Sequence, residues 1–217
     1  MKTWHPGDAG NVITAVEMRA LEAAAMASRR VSGAVLMGRA AAGCVAAMGA
    51  ARPDLADRPG RAVVLCGPGN NGGDGYGIAA LLAAAGWDVA VFALGDPAAL
   101  GEDARIYRDR WAALGPVGSL PEAIPVLAGA DLVVDALFGI GLARPLSDGI
   151  GAVLAAVPPG AFRVAVDVPS GCATDTGAVL GTHRFAADLT VTFHAPKPVH
   201  GWLVDQGAAV MIADIGL

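Results

Sequence analysis

Residues 66–75 (CGPGNNGGDG) combine glycines with two amides and one carboxylate in a single short segment. They follow the apolar run Arg61–Leu65 and precede a helix-like stretch, so we expect them to join a strand to a helix. Such a loop points backbone N–H groups and a helix N-terminus at its ligand, which favours phosphate. Gly67, Gly69 and Gly72 match the dinucleotide pattern G-x-G-x-x-G, although glycine-rich turns are common and the match alone is weak.

A phosphate loop does not by itself require Asn70 and Asn71 followed by the run Gly72-Gly73-Asp74-Gly75. Two amides and a carboxylate supply directional hydrogen bonds and hard oxygen ligands. The plainer interpretation is a polar turn in which Asp74 caps a helix predicted over Gly75–Ala85.

Two further candidate strands end in an aspartate. Asp135 follows the apolar run Leu132–Val134, and Asp167 follows Arg163–Val166 with Ser170 shortly after it. In open α/β sheets, ligands bind beyond the carboxyl ends of the strands, near the point where the strand order reverses. We therefore expect both aspartates and the Asn-Asn segment to share one pocket. The alternative is that each aspartate only caps the next turn.

Strands and helices are predicted to alternate after an N-terminal helical region. Thr14 and Glu17 form a capping-box pattern for the first helix, and Ser32–Gly49 favours a second. The polar stretch Arg52–Gly60 reads as a connection into the first strand. The predicted strands are Ala62–Cys66, Asp88–Leu94, Leu132–Ala136, Arg163–Val168, Leu189–Phe193 and Val210–Ile212, and the later helices are Gly75–Ala85, Pro97–Leu114, Pro121–Ala128 and Asp148–Val157.

The predicted strands are continuous apolar runs, as expected for a mainly parallel sheet covered by helices on both faces. The sequence thus indicates an α/β fold: a three-layer αβα Rossmann-like sandwich with an N-terminal helical arm. We find no repeat, linker or change in composition, and residues 1–217 are predicted to form a single domain.

Composition excludes several classes of protein. The 217 residues are 54% hydrophobic and 16% charged with a net charge of -5, which argues against a nucleic-acid-binding face. Cys44, Cys66 and Cys172 are far apart, so buried thiols are expected rather than disulfides or a zinc site. We see neither a signal-peptide pattern nor about 18 consecutive apolar residues, and we expect a soluble cytoplasmic protein without membrane contact.

The motifs in combination resemble a known family. VVLCGPGNNGGDGYGIAALLAAAGWDVAVF, DLVVDALFGIGL, VAVDVPSG and ADLTVTFHAPKP occur in that order, and EMRALE and IADIGL extend the likeness towards both ends. Through these motifs and their order, the chain resembles the NAD(P)H-hydrate epimerase family, which is also known as the YjeF N-terminal domain. One departure is Met37-Gly38-Arg39 in the second helix, where the family often has MENAG-like residues.

The resemblance implies interconversion of the R and S forms of NADHX and NADPHX, which are NADH and NADPH hydrated at C6 of the nicotinamide ring. It implies a potassium ion held by Asn71, Asp135 and Ser170, and a catalytic Asp167. Lys197 is a less direct match that we place near the reacting ring. The implied substrate-binding residues are Asn70, Asn71, Gly72, Gly73 and Asp74 in the first loop, Gly139, Ile140, Gly141, Leu142, Ala143, Arg144 and Pro145 in the second, and Asp167.

The proposed chemistry suits these groups. The ring nitrogen can expel the C6 hydroxyl if an acid protonates it, and water can then add to either face of the planar cation. Asp167 could act as both proton donor and proton acceptor. Ring opening is a second route that the sequence does not separate from the first. Lys197 could anchor a phosphate, tune the acid, position water or be a satisfied surface lysine.

Two other functions stay open on sequence. A Rossmann dehydrogenase would use Asp96 for the ribose, but leaves Asn70, Asn71, Asp135 and Ser170 without a role. A non-catalytic nucleotide- or RNA-associated binding module would use the same fold.

The resemblance also implies partners, namely an NAD(P)H-hydrate dehydratase and a second copy of the chain in a homodimer. His5, His183, His194 and His200 show no ligand spacing and are left out of the site.

Overall fold

The computed structural model describes residues 1–8 and 12–217. The strands of the described chain are β1 (Lys2–Thr3), β2 (Arg61–Cys66), β3 (Asp88–Ala93), β4 (Val117–Ser119), β5 (Leu132–Ala136), β6 (Phe162–Val166), β7 (Leu189–Phe193) and β8 (Ala209–Ala213). The α-helices are α1 (Ala15–Ala27), α2 (Gly33–Ala51), α3 (Pro53–Asp57), α4 (Asn70–Ala84), α5 (Glu102–Ala112), α6 (Ile124–Leu127), α7 (Asp148–Ala155) and α8 (Pro198–Asp205).

The strands form one sheet in the order β1-β8-β7-β6-β5-β2-β3-β4. Every neighbouring pair is parallel except β1 with β8. The chain runs from β2 outward to β4 and then returns to β5 on the other side of β2. The order therefore reverses between β2 and β5, and this is where an open α/β sheet binds its ligand.

Two apolar layers cover the sheet. Alternate strand residues such as Val64 and Val134 pack with α2, α4 and α5 on one face. Their neighbours Val63 and Val133 pack with α6 and α7 on the other face. A third cluster, which includes Trp4 and Leu203, places α8 beside the sheet. The predicted three-layer fold is confirmed.

The N-terminal arm also forms as predicted. Thr14 and Glu17 make the reciprocal capping-box hydrogen bonds at the start of α1. Helix α2 has 19 residues with a mean hydropathy of 1.5, so by length and composition alone it could cross a membrane. Its buried face, from Leu36 to Met48, packs in the core cluster that includes α4 and the sheet.

One prediction about the glycine-rich segment is wrong. Helix α4 begins at Asn70 rather than Gly75, and its N-cap is Gly69 in an extended conformation rather than Asp74. The amide of Gly73 donates to the carbonyl of Gly69, which closes the first turn. The polar residues thus lie in the first helical turns, because close packing against the sheet outweighs the low helix propensity of glycine.

Other differences concern short elements. The predicted helix from Pro97 is divided into a 3-10 turn (Pro97–Ala99) and α5, and the helix from Pro121 becomes a 3-10 turn (Leu120–Ala123) and α6. The helices α3 and α8 and the edge strands β1 and β4 were not predicted. Pro53 and Pro198 begin α3 and α8, a position where proline is favoured and could have been recognised.

Candidate active site

A cleft of about 390 Å³ opens at the carboxyl ends of the central strands. Its walls come from the loops after β2 and β5, the ends of β6 and β7, and one side of α1. The residues that line it are Arg19, Glu22, Pro68, Gly69, Asn70, Asn71, Asp74, Leu137, Phe138, Gly139, Ile140, Gly141, Leu142, Asp167 and Phe193. The cleft lies where the strand order reverses, as the sequence predicts.

Asp167 and Lys197 form a buried ion pair at the base of this cleft. Lys197 Nζ donates to Asp167 Oδ1 at 2.9 Å, to Thr192 Oγ1 at 2.7 Å and to the Phe193 carbonyl at 3.1 Å. Thr192 Oγ1 in turn donates to Asp167 Oδ1 at 3.0 Å. The lysine side chain is fully buried, which overturns the alternative of a surface lysine.

Burial alone would raise the pKa of Asp167. The positive charge and hydrogen bond of Lys197, with further help from Thr192, instead lower this pKa below its ordinary value. Asp167 is therefore a carboxylate at neutral pH. It is suited to accept a proton, and it is less suited to the donor role that we also expected of it.

Asp135 and Ser170 lie behind the cleft and hold its walls together. Asp135 accepts hydrogen bonds from the Ser170 amide at 2.7 Å, the Ser170 hydroxyl at 2.7 Å and the Leu137 amide at 3.1 Å. Ser170 Oγ also accepts from the Phe138 amide at 3.0 Å. Burial raises the pKa of Asp135 to about 6, and the Ser170 hydrogen bonds oppose this shift.

Asn71 points its side chain towards the same region. Its Oδ1 and Asp167 Oδ2 both lie close to the Gly139 backbone, at 3.0 and 3.1 Å from the place where a Cβ on this glycine would be. The Nδ2 atom is buried without a hydrogen-bond partner within the described chain. Asn71 therefore carries a polar group that the protein itself does not satisfy, which is unusual and points to a ligand.

Asn71, Asp135 and Ser170 offer only oxygen donors, from an amide, a buried carboxylate and a hydroxyl. Such donors fit an alkali or alkaline-earth cation rather than zinc or copper. A cation would compensate the buried charge of Asp135 and could take the Asn71 amide oxygen as a ligand, so the residues present fit the potassium ion implied by the family resemblance. The unpartnered Nδ2 of Asn71 is a donor and would need an acceptor atom instead. In the described ranges no group of three or more His, Cys, Asp or Glu side chains is placed to hold a metal.

Two more carboxyl groups face the cleft. Burial is the main cause that raises the pKa values of Asp74 and Glu22, and the negative charge of Asp167 raises both further. The effect is larger for Asp74, which is 8% exposed and also repelled by Glu22. The cleft thus holds one carboxylate with a lowered pKa, Asp167, and one carboxyl that keeps its proton to higher pH, Asp74. Such a divergence is typical of acid–base pairs in enzymes.

The glycines around Asn70 have different functions. A Cβ on Gly67 would lie 1.7 Å from the Leu137 carbonyl, and one on Gly72 would lie 2.0 Å from the Gly67 carbonyl. A Cβ on Gly73 would lie 2.5 Å from Met37 Sδ. These three glycines therefore permit internal packing and do not line the cleft. Gly69 has no neighbour within 4 Å of such a Cβ and does line it.

The second predicted loop is divided. Gly139, Ile140, Gly141 and Leu142 line the cleft, whereas Ala143, Arg144 and Pro145 do not. All the predicted catalytic and cation-binding side chains lie in the cleft or directly behind it.

Sequence reasoning missed several residues at or next to the site, among them Arg19, Glu22, Thr192, Phe193 and His200. Glu22 had a detectable signal, because it follows Ala15 and Met18 at helical spacing on the buried face of α1. A charged residue on such a face often has a function. His200 was set aside as structural, and it is fully buried beside Asp167.

Known proteins resemble this chain over most of its length. The family model described as YjeF-related protein N-terminus matches residues 33–199. The NAD(P)H-hydrate epimerase of Rhodobacter capsulatus is 46% identical over a 213-residue alignment that covers 95% of this chain and 99% of that protein. The bifunctional NAD(P)H-hydrate repair enzyme Nnr of Thermofilum pendens is 42% identical over a 149-residue alignment that covers 64% of this chain and 28% of that protein.

A solved structure supports the fold. The crystal structure of the yeast protein ynu0 (YNL200c) superposes with a TM-score of 0.79 at 23% identity, covering 93% of this chain and 88% of that one. The family model matches residues 33–199, and the Rhodobacter capsulatus relative is 46% identical and covers 95% of this chain. This chain therefore belongs to the YjeF-related N-terminal family.

Proposed function

We propose that this protein is an NAD(P)H-hydrate epimerase, an isomerase that interconverts the R and S forms of NADHX and NADPHX. A relative of that name is 46% identical over nearly the whole chain. The observation in this structure that carries the proposal is the buried pair of Asp167 and Lys197 at the base of a cleft that Asp74, whose pKa is raised by burial, also lines.

The two carboxyl groups suit the two proton transfers of the reaction. As the C6–O bond breaks, Asp74 donates a proton to the leaving hydroxyl, which departs as water, and the ring nitrogen's electron pair forms the C=N bond. Asp167 then accepts a proton from a water molecule that adds to the other face of C6. Positioned groups of this kind contribute about 10²–10⁴-fold each to a rate.

Charge in the cleft favours a substrate with phosphates at one end. The N-terminus of α4 opens into the cleft at Gly69 and Asn70, where free backbone N–H groups attract anions. Arg19 is the cationic residue of the cleft lining and lies next to the Ile140 carbonyl. We propose that these groups bind the diphosphate, while the hydrated ring lies between Asp74 and Asp167.

We further propose that Asn71, Asp135 and Ser170 hold a potassium ion. When bound, the ion would supply positive charge that steadies the loops after β2, β5 and β6 and offsets the buried carboxylate. The residues themselves orient Gly139 and the α4 N-terminus towards the substrate.

Conversion of R-NADHX to the S form, followed by chromatography, tests the function. We expect the wild-type protein to accelerate the exchange well beyond its rate in buffer. Asp167→Ala should be slower by about 10²-fold or more, because it lacks the proton acceptor. Asp57→Asn, an exposed change in α3, serves as the control and should match the wild type. A wild-type rate equal to the buffer rate would exclude the epimerase.

Thermal unfolding in potassium, sodium and choline chloride at equal ionic strength tests the cation. Potassium should raise the melting temperature of the wild type and of Asp57→Asn, but not that of Asp135→Asn, which lacks the carboxylate charge. Equal melting temperatures of the wild type in all three salts would contradict the ion site.

We propose a cytoplasmic homodimer that acts together with an NAD(P)H-hydrate dehydratase. The relative from Thermofilum pendens is named a bifunctional repair enzyme, and this chain aligns with 28% of it. That arrangement supports a functional link to a second activity of the same repair process.

A further inference from the structure

Two unusual turns stand side by side at the carboxyl ends of β6 and β7. The Val168 amide donates to the Val166 carbonyl at 2.8 Å, around Asp167 with φ of 64°. The Ala195 amide donates to the Phe193 carbonyl at 2.7 Å, around His194 with φ of 63°. Hydrogen bonds between residues i and i+2 around a positive φ define the rarer, strained kind of γ-turn. Residues other than glycine adopt it only when their surroundings hold them there.

The ring of His200 contacts the first of these turns directly. Its Nε2 lies 2.8 Å from the Asp167 carbonyl oxygen, and its Nδ1 lies 2.8 Å from the Lys197 amide nitrogen. A backbone amide can only donate, so Nδ1 is unprotonated and Nε2 carries the hydrogen that it donates to Asp167. Complete burial favours the same neutral ring and lowers the pKa of His200 to about 4.

These contacts close a ring of hydrogen bonds around the two predicted catalytic residues. Asp167 and Lys197 are joined once through their side chains, at 2.9 Å, and again through His200, which bridges their backbones. Lys197 Nζ also donates to the Phe193 carbonyl, the acceptor of the second turn. Every polar atom of the His200 ring is therefore used to hold backbone, and the ring does not line the cleft.

We propose that His200 is a positioning residue that keeps Asp167 in its left-handed turn, so that the carboxylate faces the cleft and pairs with Lys197. The effect on turnover rests on the proposed epimerase function, whereas the hydrogen bonding of the ring does not. His200 takes no part in proton transfer, because both of its nitrogens are engaged with the backbone.

Three substitutions separate the two contacts. His200→Phe keeps most of the volume but removes both hydrogen bonds. The carbonyl of His200→Asn falls near the position of Nδ1, and the amide of His200→Gln falls near that of Nε2. We expect kcat for R-NADHX to fall about 10²-fold in His200→Phe with little change in KM, because misplacing a reacting group by about 1 Å has this effect.

His200→Gln should recover more activity than His200→Asn, since it keeps the hydrogen bond to Asp167. His5→Phe, the same change at an exposed histidine, is the control and should behave as the wild type. If His200→Phe loses thermal stability but keeps the wild-type kcat, or if the Asn variant is the more active, the positioning role is overturned. Should the Phe variant not fold, the Gln and Asn variants still decide the matter.

Nitrogen NMR of the His200 ring in the wild-type protein tests the geometry without any activity measurement. We expect a neutral ring with its hydrogen on Nε2 at pH 7, unchanged on lowering the pH to about 5. A protonated ring at pH 6, or a hydrogen on Nδ1, would overturn the inference. If the wild type shows the expected ring but does not act on R-NADHX, the proposed function fails while the assignment of the His200 contacts stands.

Discussion

At the scale of single residues, the buried pair of Asp167 and Lys197 couples stability to chemistry. Removing one member leaves the other buried and uncompensated, which costs about 3–5 kcal/mol. We expect Lys197→Met and Asp167→Asn each to lower the free energy of unfolding by this amount. The double variant should regain much of the loss, because no unpaired charge is left, yet it should stay inactive.

Urea unfolding of the wild type, both single variants and the double variant measures this coupling. Losses that simply add in the double variant would show that the two side chains do not act as a pair. An active double variant would show that neither group takes part in the chemistry.

Asp74 is expected to respond differently. Its pKa in the folded protein is raised, mainly by burial, so its ionisation costs stability as the pH rises above the ordinary value of 3.8. Asp74→Asn removes that cost, and we expect its free energy of unfolding at pH 8 to equal or exceed that of the wild type. Its kcat should nevertheless fall about 10²–10⁴-fold, because the proton donor is lost. Wild-type turnover by this variant would remove Asp74 from the mechanism.

At the scale of elements, the start of α4 determines the shape of the cleft. Gly75 packs against the strands below, and a Cβ there would lie 2.7 Å from Ala136 Cβ and 2.8 Å from Cys66 Sγ. We expect Gly75→Ala to lower the free energy of unfolding by about 1–3 kcal/mol through overpacking. Gly69→Ala meets no atom within 4 Å and is the matched control for stability.

Gly69 also lies at the edge of the cleft, so its substitution should raise KM for R-NADHX while leaving the unfolding transition in place. Chemical denaturation and steady-state kinetics on both variants check this division. If both alanine variants lowered the free energy of unfolding equally, overpacking at Gly75 would not be the cause of its destabilisation.

At the scale of the whole molecule, the buried His200 makes stability depend on pH. Its pKa is about 4 in the folded protein and about 6.5 in an unfolded chain, so the unfolded chain binds the extra proton between these values. The free energy of unfolding contributed by His200 therefore rises with pH from about 4 to about 6.5, by on the order of 3 kcal/mol. Below pH 4 this contribution is lost.

Asp135 acts in the opposite direction, because its raised pKa of about 6 makes stability fall as its carboxyl ionises. The two effects offset each other in the wild type. The informative quantity is therefore the difference in the free energy of unfolding between the wild type and His200→Gln. We expect that difference to grow with pH between about 4 and 6.5 and to be constant above. Urea unfolding at a series of pH values measures it, and a difference independent of pH would contradict a buried neutral ring.

Assembly is the last property of the whole molecule. Val16 on α1 and Val35 on α2 are 67% and 47% exposed, in helices rich in alanine and methionine. For a homodimer we expect light scattering to give about twice the 21.6 kDa mass of one chain. The double variant Val16→Glu/Val35→Glu should reduce the measured mass to that of one chain, because dimerisation would bury charge at the interface. A wild-type mass of one chain at high protein concentration would contradict the dimer.

Local patterns were sufficient to predict most of the sheet. The predicted strands at Leu132–Ala136 and Leu189–Phe193 have the observed bounds, because a buried parallel strand is a continuous apolar run. The capping box at Thr14 is equally local. The start of α4 was misjudged because glycine-rich residues have low helix propensity, and only their packing against Gly67, Met37 and the strands makes them helical.

The sequence by itself determined which groups are available for chemistry: Asn71, Asp135, Asp167 and Lys197 follow strand ends or short motifs and could be identified one by one. Only the tertiary structure decided how each is charged and held. Asp167 is a carboxylate because Lys197, thirty residues later, is buried against it, and the pKa of Asp74 is raised because its side chain is buried and because Asp167 and Glu22 face the same cleft. Burial and electrostatic coupling depend on distances in space between residues far apart in the chain, and no local pattern encodes those distances.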